Sequence, residues 1–225
     1  MRKTIMALAA ATSLAAALPA VAEMTGGQQT YDLLFRSGTL DGLPRDAALI
    51  YDRHVTNSYV PAAEERDSGR VELEFGGGEP ERATLMFRND QNKHRSLGAF
   101  PASVGNPIIM FFVETVVRDM AESAGGSPFY IRNRVKEALI QPAEITGEAV
   151  PFDGRDVAAR AVTLRPFADD PNAPAMQGFG DLEITVTMSD EIPGWYQKLE
   201  AVVPGEDGAP RYASTLSLAS HGKVE

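Results

Sequence analysis

Residues 106–142, NPIIMFFVETVVRDMAESAGGSPFYIRNRVKEALIQP, constrain this chain more than any other stretch, because they carry its one strong helical signal between long runs of strand-like sequence. Asn106 suits an N-cap, and Pro107 suits the first helical position, where a missing N–H has no intrahelical partner to lose. Ile109, Phe112, Val113, Val116, Val117, Met120 and Ala124 then recur at three- and four-residue steps, which assigns Glu114, Thr115, Arg118, Asp119, Glu122 and Ser123 to the other side. This makes an apolar stripe about 25 Å long at 1.5 Å per residue. Gly125 supplies a left-handed stop, Ser127 and Pro128 begin a second helix, and Pro142 ends it. A stripe of that length needs a cover.

The flanks supply one. Residues 47–59 alternate, with Leu49, Tyr51, Arg53 and Val55 on one strand face and Ile50, Asp52, His54 and Thr56 on the other. Residues 71–75 and 83–87 form a hairpin around a glycine-rich turn, and 93–100 reads as a further strand. Beyond Pro142, residues 157–164 alternate again, and the runs 182–188, 195–203 and 212–218 form an antiparallel meander. Strands and helices are segregated, so the expected class is α+β: a curved, half-barrel-like antiparallel sheet packed on a two-helix insertion. Residues 23–30 read as a loose leader and 61–69 as a charged connection.

The first residues have the form of a targeting segment: Arg2 and Lys3, an apolar stretch at 5–18, then the small-residue site Ala20-Val21-Ala22. Cleavage after Ala22 is expected, leaving residues 23–225 as a single antiparallel α+β domain in the periplasm. The sequence has no Cys, so neither a disulfide nor a lipid-anchored cysteine is available. Loss of the leader takes the net charge from −10 to about −12, a field that repels nucleic acid. The apolar run at 108–113 stops at Glu114, far short of the roughly 20 residues of a membrane span, so an integral membrane protein is not expected.

Chemistry-bearing motifs are sparse. His54, His94 and His221 lack metal-ligand spacing and there is no HExxH pair, so no metal and no cofactor are expected. An acid/base site joining His54 and His94 with Asp52 or Asp90 is the enzyme alternative. The glycines at 76–78 lead into neither Lys-Ser/Thr nor a helix and read as a hairpin turn. Asp153, Asp156, Asp169 and Asp170 read as a solvated acidic surface, and the Arg132–Lys136 stretch as a solvated basic face with an Arg134–Glu137 pair. Trp195, at the start of a strand, is either a core-edge anchor or an aromatic contact for a partner.

An exported chain whose antiparallel sheet is interrupted by a helical pair and closed by a strand meander resembles the half-barrel periplasmic carriers of lipoprotein localisation, the LolA and LolB type. The likeness lies in the order of elements over residues 31–219. It implies a hydrophobic cavity that shelters acyl chains, and no functional residue carries over from it. The leading expectation is a non-enzymatic carrier for a lipid or another apolar small molecule, lined by Ile109, Phe112, Val113, Val116, Met120 and Trp195. The alternative is an envelope module with a filled core and an envelope protein as its partner.

Overall fold

The structure, a computed structural model, describes residues 22–76, 81–89, 91, 93–206 and 208–223. In chain order the elements are β1 (Ala22–Met24), α1 (Gly27–Leu34), β2 (Ala47–Asn57), α2 (Ala62–Asp67), β3 (Gly69–Gly76), β4 (Arg82–Asn89), β5 (His94–Pro101), α3 (Ile108–Ala124), α4 (Pro128–Ala138), β6 (Glu144–Phe152), β7 (Arg155–Leu164), β8 (Glu183–Met188), β9 (Tyr196–Val203) and β10 (Tyr212–Lys223). All ten strands form one antiparallel sheet in the order β1-β6-β7-β8-β9-β10-β2-β3-β4-β5. The sheet is open, with β1 and β5 at its edges. Its two halves join at β2 and β10, paired from Tyr212 opposite Asn57 to Lys223 opposite Ala47. The wall around the helices is thus drawn from both sides of the helical insertion, as the α+β reading requires.

The predicted face of β2 is the inward one: Leu49, Tyr51, Arg53, Val55 and Asn57 are all buried. They join a continuous core with Leu73 and Leu85 from β3 and β4, Val162, Val186, Leu199 and Leu216 from the later strands, and the stripe of α3. Phe112 and Val116 of α3 are fully buried, and a side chain of this kind contributes about 1.5–3 kcal/mol when removed from water. In α4 and at its C-cap, Ile131, Val135 and Leu139 are buried. Gly125 and Gly126 both have φ in the left-handed region, +75° and +90°, which lets the chain reverse between α3 and α4. Among the described residues, no helix is long and apolar enough to cross a membrane.

Four readings from sequence change. Residues 23–30 are not loose: β1 pairs with β6, and in α1 the Gln29 side chain accepts a hydrogen bond from the Gly26 N–H, closing the first turn. The charged connection contains α2, only six residues long. Strand β6 lacks alternation in its first half, so periodicity did not reveal it. On α3, Thr115 and Asp119 are buried rather than solvated. Thr115 satisfies its hydroxyl on the Phe112 carbonyl at 2.7 Å, and Asp119 meets a charge on the sheet. The leader expected at residues 1–22 lies outside the described residues except for Ala22, which sits opposite Thr146.

Candidate functional site

The start of α3 is fixed by a buried polar knot. Asn106 donates through Nδ2 to the Tyr51 hydroxyl and to the Gly194 carbonyl, both at 2.9 Å, and its Oδ1 accepts from the Ile108 N–H. Gly194 has φ +76°, and a Cβ there would come within 2.3 Å of Leu49 Cδ1 and 2.9 Å of the Asn106 amide, so any other residue would strain the backbone and displace the knot. Burial pushes the Tyr51 phenol well above its ordinary pKa, with the Asn106 hydrogen bond opposing, so it stays a neutral hydroxyl.

Beside this knot, where α1, the end of β5, the start of α3 and the end of α4 meet, lies a groove of about 730 Å³. Its apolar lining includes Phe35, Phe100, Ile109 and Leu139, together with four large side chains exposed to solvent: Tyr31 (43%), Val104 (65%), Met110 (41%) and Ile140 (55%). Solvent-exposed apolar groups gathered at one concavity, rather than scattered, are the usual mark of a contact or ligand site. Arg36 and Lys136 also line the groove, against a single carboxylate, Asp32.

The residues expected to line a ligand divide. Ile109 borders the groove. Phe112, Val113, Val116 and Met120 are between 0% and 3% exposed and belong to the packed core. Trp195 is also buried, at φ +80°, with its indole N–H donating to the Leu33 carbonyl at 3.0 Å. The guanidinium groups of Arg36 and Arg160 stand 4.5 and 5.6 Å from its ring centroid. It anchors the core edge and borders a second cleft at Glu23, Met24 and Arg160.

The second polar feature is a buried ionic cluster at the far end of α3. Arg53 reaches inward from β2 with no side-chain exposure, and its Nη2 donates to Asp119 Oδ2 at 3.4 Å. The Tyr212 hydroxyl donates to the same oxygen at 3.0 Å, and Arg118 grips the other at 2.8 Å. Asp67 completes the cluster, accepting from Arg66 at 2.7 Å, with Arg66 bridging on to Glu122. Burial lowers the Arg53 pKa and the charge of Asp119 opposes it, so the guanidinium stays charged. Two of its nitrogens, Nε and Nη1, have no hydrogen-bond partner. Burial drives the Tyr212 phenol well above its ordinary value, and the Asp119 carboxylate adds to that. Arg53, Asp119, Asp67 and Tyr212 are buried, while Arg66, Arg118 and Glu122 carry the cluster out to the surface; its geometry serves to hold α3 to β2 and β10.

The histidines stay apart. His54 and His94 lie on β2 and β5, three strand positions or roughly 14 Å across the sheet. His221 meets Asp153 at 3.0 Å on the surface. Among the described residues, no group of three His, Cys, Asp or Glu side chains is placed to hold a metal ion. The acidic loop is not simply solvated: Asp170 is buried, accepts from Tyr130 at 2.7 Å and pairs with Arg134 at 2.8 Å, which ties α4 to the loop after β7. Arg134 also pairs with Glu137 as the spacing predicts, while Arg132 holds Glu114 of α3.

Sequence reasoning missed the groove because its walls come from four separate elements. The usable signal was local: apolar residues at Tyr31, Val104, Met110 and Ile140 that fit no buried face. Compared with known proteins, the chain matches no protein-family model, and none of the curated proteins matches it in sequence.

Proposed function

We propose that this protein is a non-enzymatic carrier that binds an amphiphile with an apolar chain and an anionic head in the groove between α1, β5, α3 and α4. The observation that carries the reading is the clustering of Tyr31, Val104, Met110 and Ile140, all solvent-exposed, around a concavity of about 730 Å³. That volume lies within the range of small-molecule sites, and each methylene removed from water there is worth about 0.8 kcal/mol. Lys136 in the lining complements a carboxylate or phosphate, with Arg36, which also pairs with Asp190, beside the same groove.

A fluorescent long-chain fatty acid tests it. Saturable uptake is expected, displaced by palmitate, and weakened roughly tenfold or more by Met110→Glu with Ile140→Glu, each charge in the apolar lining having to be desolvated. Lys136→Glu is expected to weaken the fatty acid more than the corresponding fatty alcohol. Absence of saturable uptake by well-folded protein would sink the proposal. The packing of Phe112, Val116 and Met120 in a filled core favours the second reading, a protein-interaction module of the envelope, and that result would leave it standing.

A further inference from the structure

The sheet ends at β5, whose outer edge carries no strand among the described residues. An exposed edge presents a row of backbone N–H and C=O groups ready to pair, and native folds leave one accessible only with some protection. Here the edge borders a second groove, about 540 Å³, closed on the opposite side by Phe111 and Arg118 of α3 and Arg132 of α4. Arg95, Ser96 and Leu97 of β5 all line it. Three consecutive residues of the outermost strand line it, so the groove follows that strand along its length.

Charge says what the groove takes. On a chain of net charge −10, its lining holds Arg95, Arg118 and Arg132 against one carboxylate, Glu114. A smaller cleft of about 330 Å³, sharing Arg95, adds Arg66, Lys93 and His94 against Glu65. Arg118 and Arg132 already hold carboxylates of their own chain, whereas the Arg95 guanidinium rests 5.1 Å over the Phe87 ring. We infer that this edge and groove bind an extended acidic segment of another protein, which adds to β5 as a strand.

Two other occupants fit less well. A second copy of this chain would set two cationic edges side by side, which like-charge repulsion opposes. A lipid head group would answer the arginines but leave the edge's backbone groups unpaired, whereas an added strand satisfies both. The bulge in β5 sets the reach. Met86 pairs with Ser96 and Leu85 with Gly98, so Leu97 has no opposite residue and Gly98 turns to φ +126°. Pairing with β4 resumes beyond the bulge, but the bulge bends the strand and breaks its register, which sets His94–Leu97 as the continuous stretch that an added strand meets.

The test uses the labelled peptide acetyl-(Glu-Val)-repeat-amide, its Lys-Val counterpart, and two versions of the first, N-methylated at every Glu or at every Val. Fluorescence anisotropy is expected to give saturable binding of the Glu-Val peptide and binding roughly tenfold or more weaker for Lys-Val. One of the two N-methylated peptides should lose binding by a similar factor, because only one edge of the added strand faces β5. Hydrogen exchange should slow at residues 94–97. Arg95→Glu, or Arg95→Gln if the first variant fails to fold, should weaken the peptide while leaving fatty-acid uptake unchanged, so this inference and the carrier reading fail separately. Equal binding by both N-methylated peptides would overturn strand addition. So would displacement by phosphatidylglycerol vesicles with no effect of N-methylation, which would give the groove to a lipid surface.

Discussion

The two halves of α3 are held by opposite means. From Ile108 to Val117 the buried residues are aliphatic and aromatic apart from Thr115, whose hydroxyl is satisfied within the helix, and they pack against residues contributed by strands on both sides of the insertion. From Arg118 onward Met120 still joins the apolar core, but the polar hold is Asp119, gripped by Arg53 of β2 and Tyr212 of β10, with Asp67 and Arg66 alongside. The first kind of contact is strong but non-directional, so a smooth stripe in a curved trough leaves rotation and sliding weakly opposed. The second is directional and costly, with two Arg53 nitrogens left without partners. The difference teaches that burial supplies the stability of this half-barrel while the ionic cluster, with the Asn106 knot at the other end, sets how the rod is seated.

Paired substitutions can break that division of labour. Asp119→Ala leaves the buried Arg53 with its nearest remaining carboxylate, Asp67, 4.0 Å away and not hydrogen-bonded to it, and is expected to cost about 3 kcal/mol, read from urea unfolding. Phe112→Ala, which empties a fully buried site, is expected to cost about the same. The two should part company on rescue. Arg53→Met combined with Asp119→Leu exchanges the ion pair for apolar packing and is expected to recover most of the loss, since such exchanges are often neutral or stabilising. If the double variant is no more stable than Asp119→Ala, the cluster is a net source of stability and the comparison fails. If it is stable but its near-ultraviolet spectrum is broadened, the seating role is sharpened.

How much of this was legible in the sequence follows from the same contrast. The stripe of α3 and the inward face of β2 are periodic patterns set by local geometry, and both were readable. Arg53 was placed on that inward face too, with no partner assigned to it. Asp119 was its partner, yet a helical wheel assigned Asp119 to the polar side because periodicity sorts residues by type rather than by what lies opposite. Short elements without a period, such as α2 and the three-residue β1, left no signal. The groove between α1, β5, α3 and α4 was least legible: of the residues expected to line a ligand only Ile109 borders it, because a concavity is made by how elements meet.

Acidity gives the smallest of these effects and separates the two halves without altering the core. Burial alone would raise the Asp67 carboxyl, but the hydrogen bond from Arg66 and the charges of Arg118 and Arg53 outweigh it and hold the group below the usual carboxylate range. The hydrogen bond from Arg66 likewise lowers Glu122. A carboxylate depressed by folding contributes stability that is fully present above its unfolded pKa, about 3.9 for Asp, and is lost as pH falls through its lower folded value. The melting temperature is therefore expected to hold near neutrality and fall as pH drops below about 4. In Asp67→Asn the neutral-pH stability should drop and the acid limb flatten, because one of the titrating groups is gone. In Phe112→Ala the whole curve should shift down with its shape kept, since the substitution removes no titrating group. Parallel acid limbs in wild type and Asp67→Asn would mean that acid unfolds the protein through its surface, and the cluster at the end of α3 would lose its claim to be the pH-sensitive half of the rod.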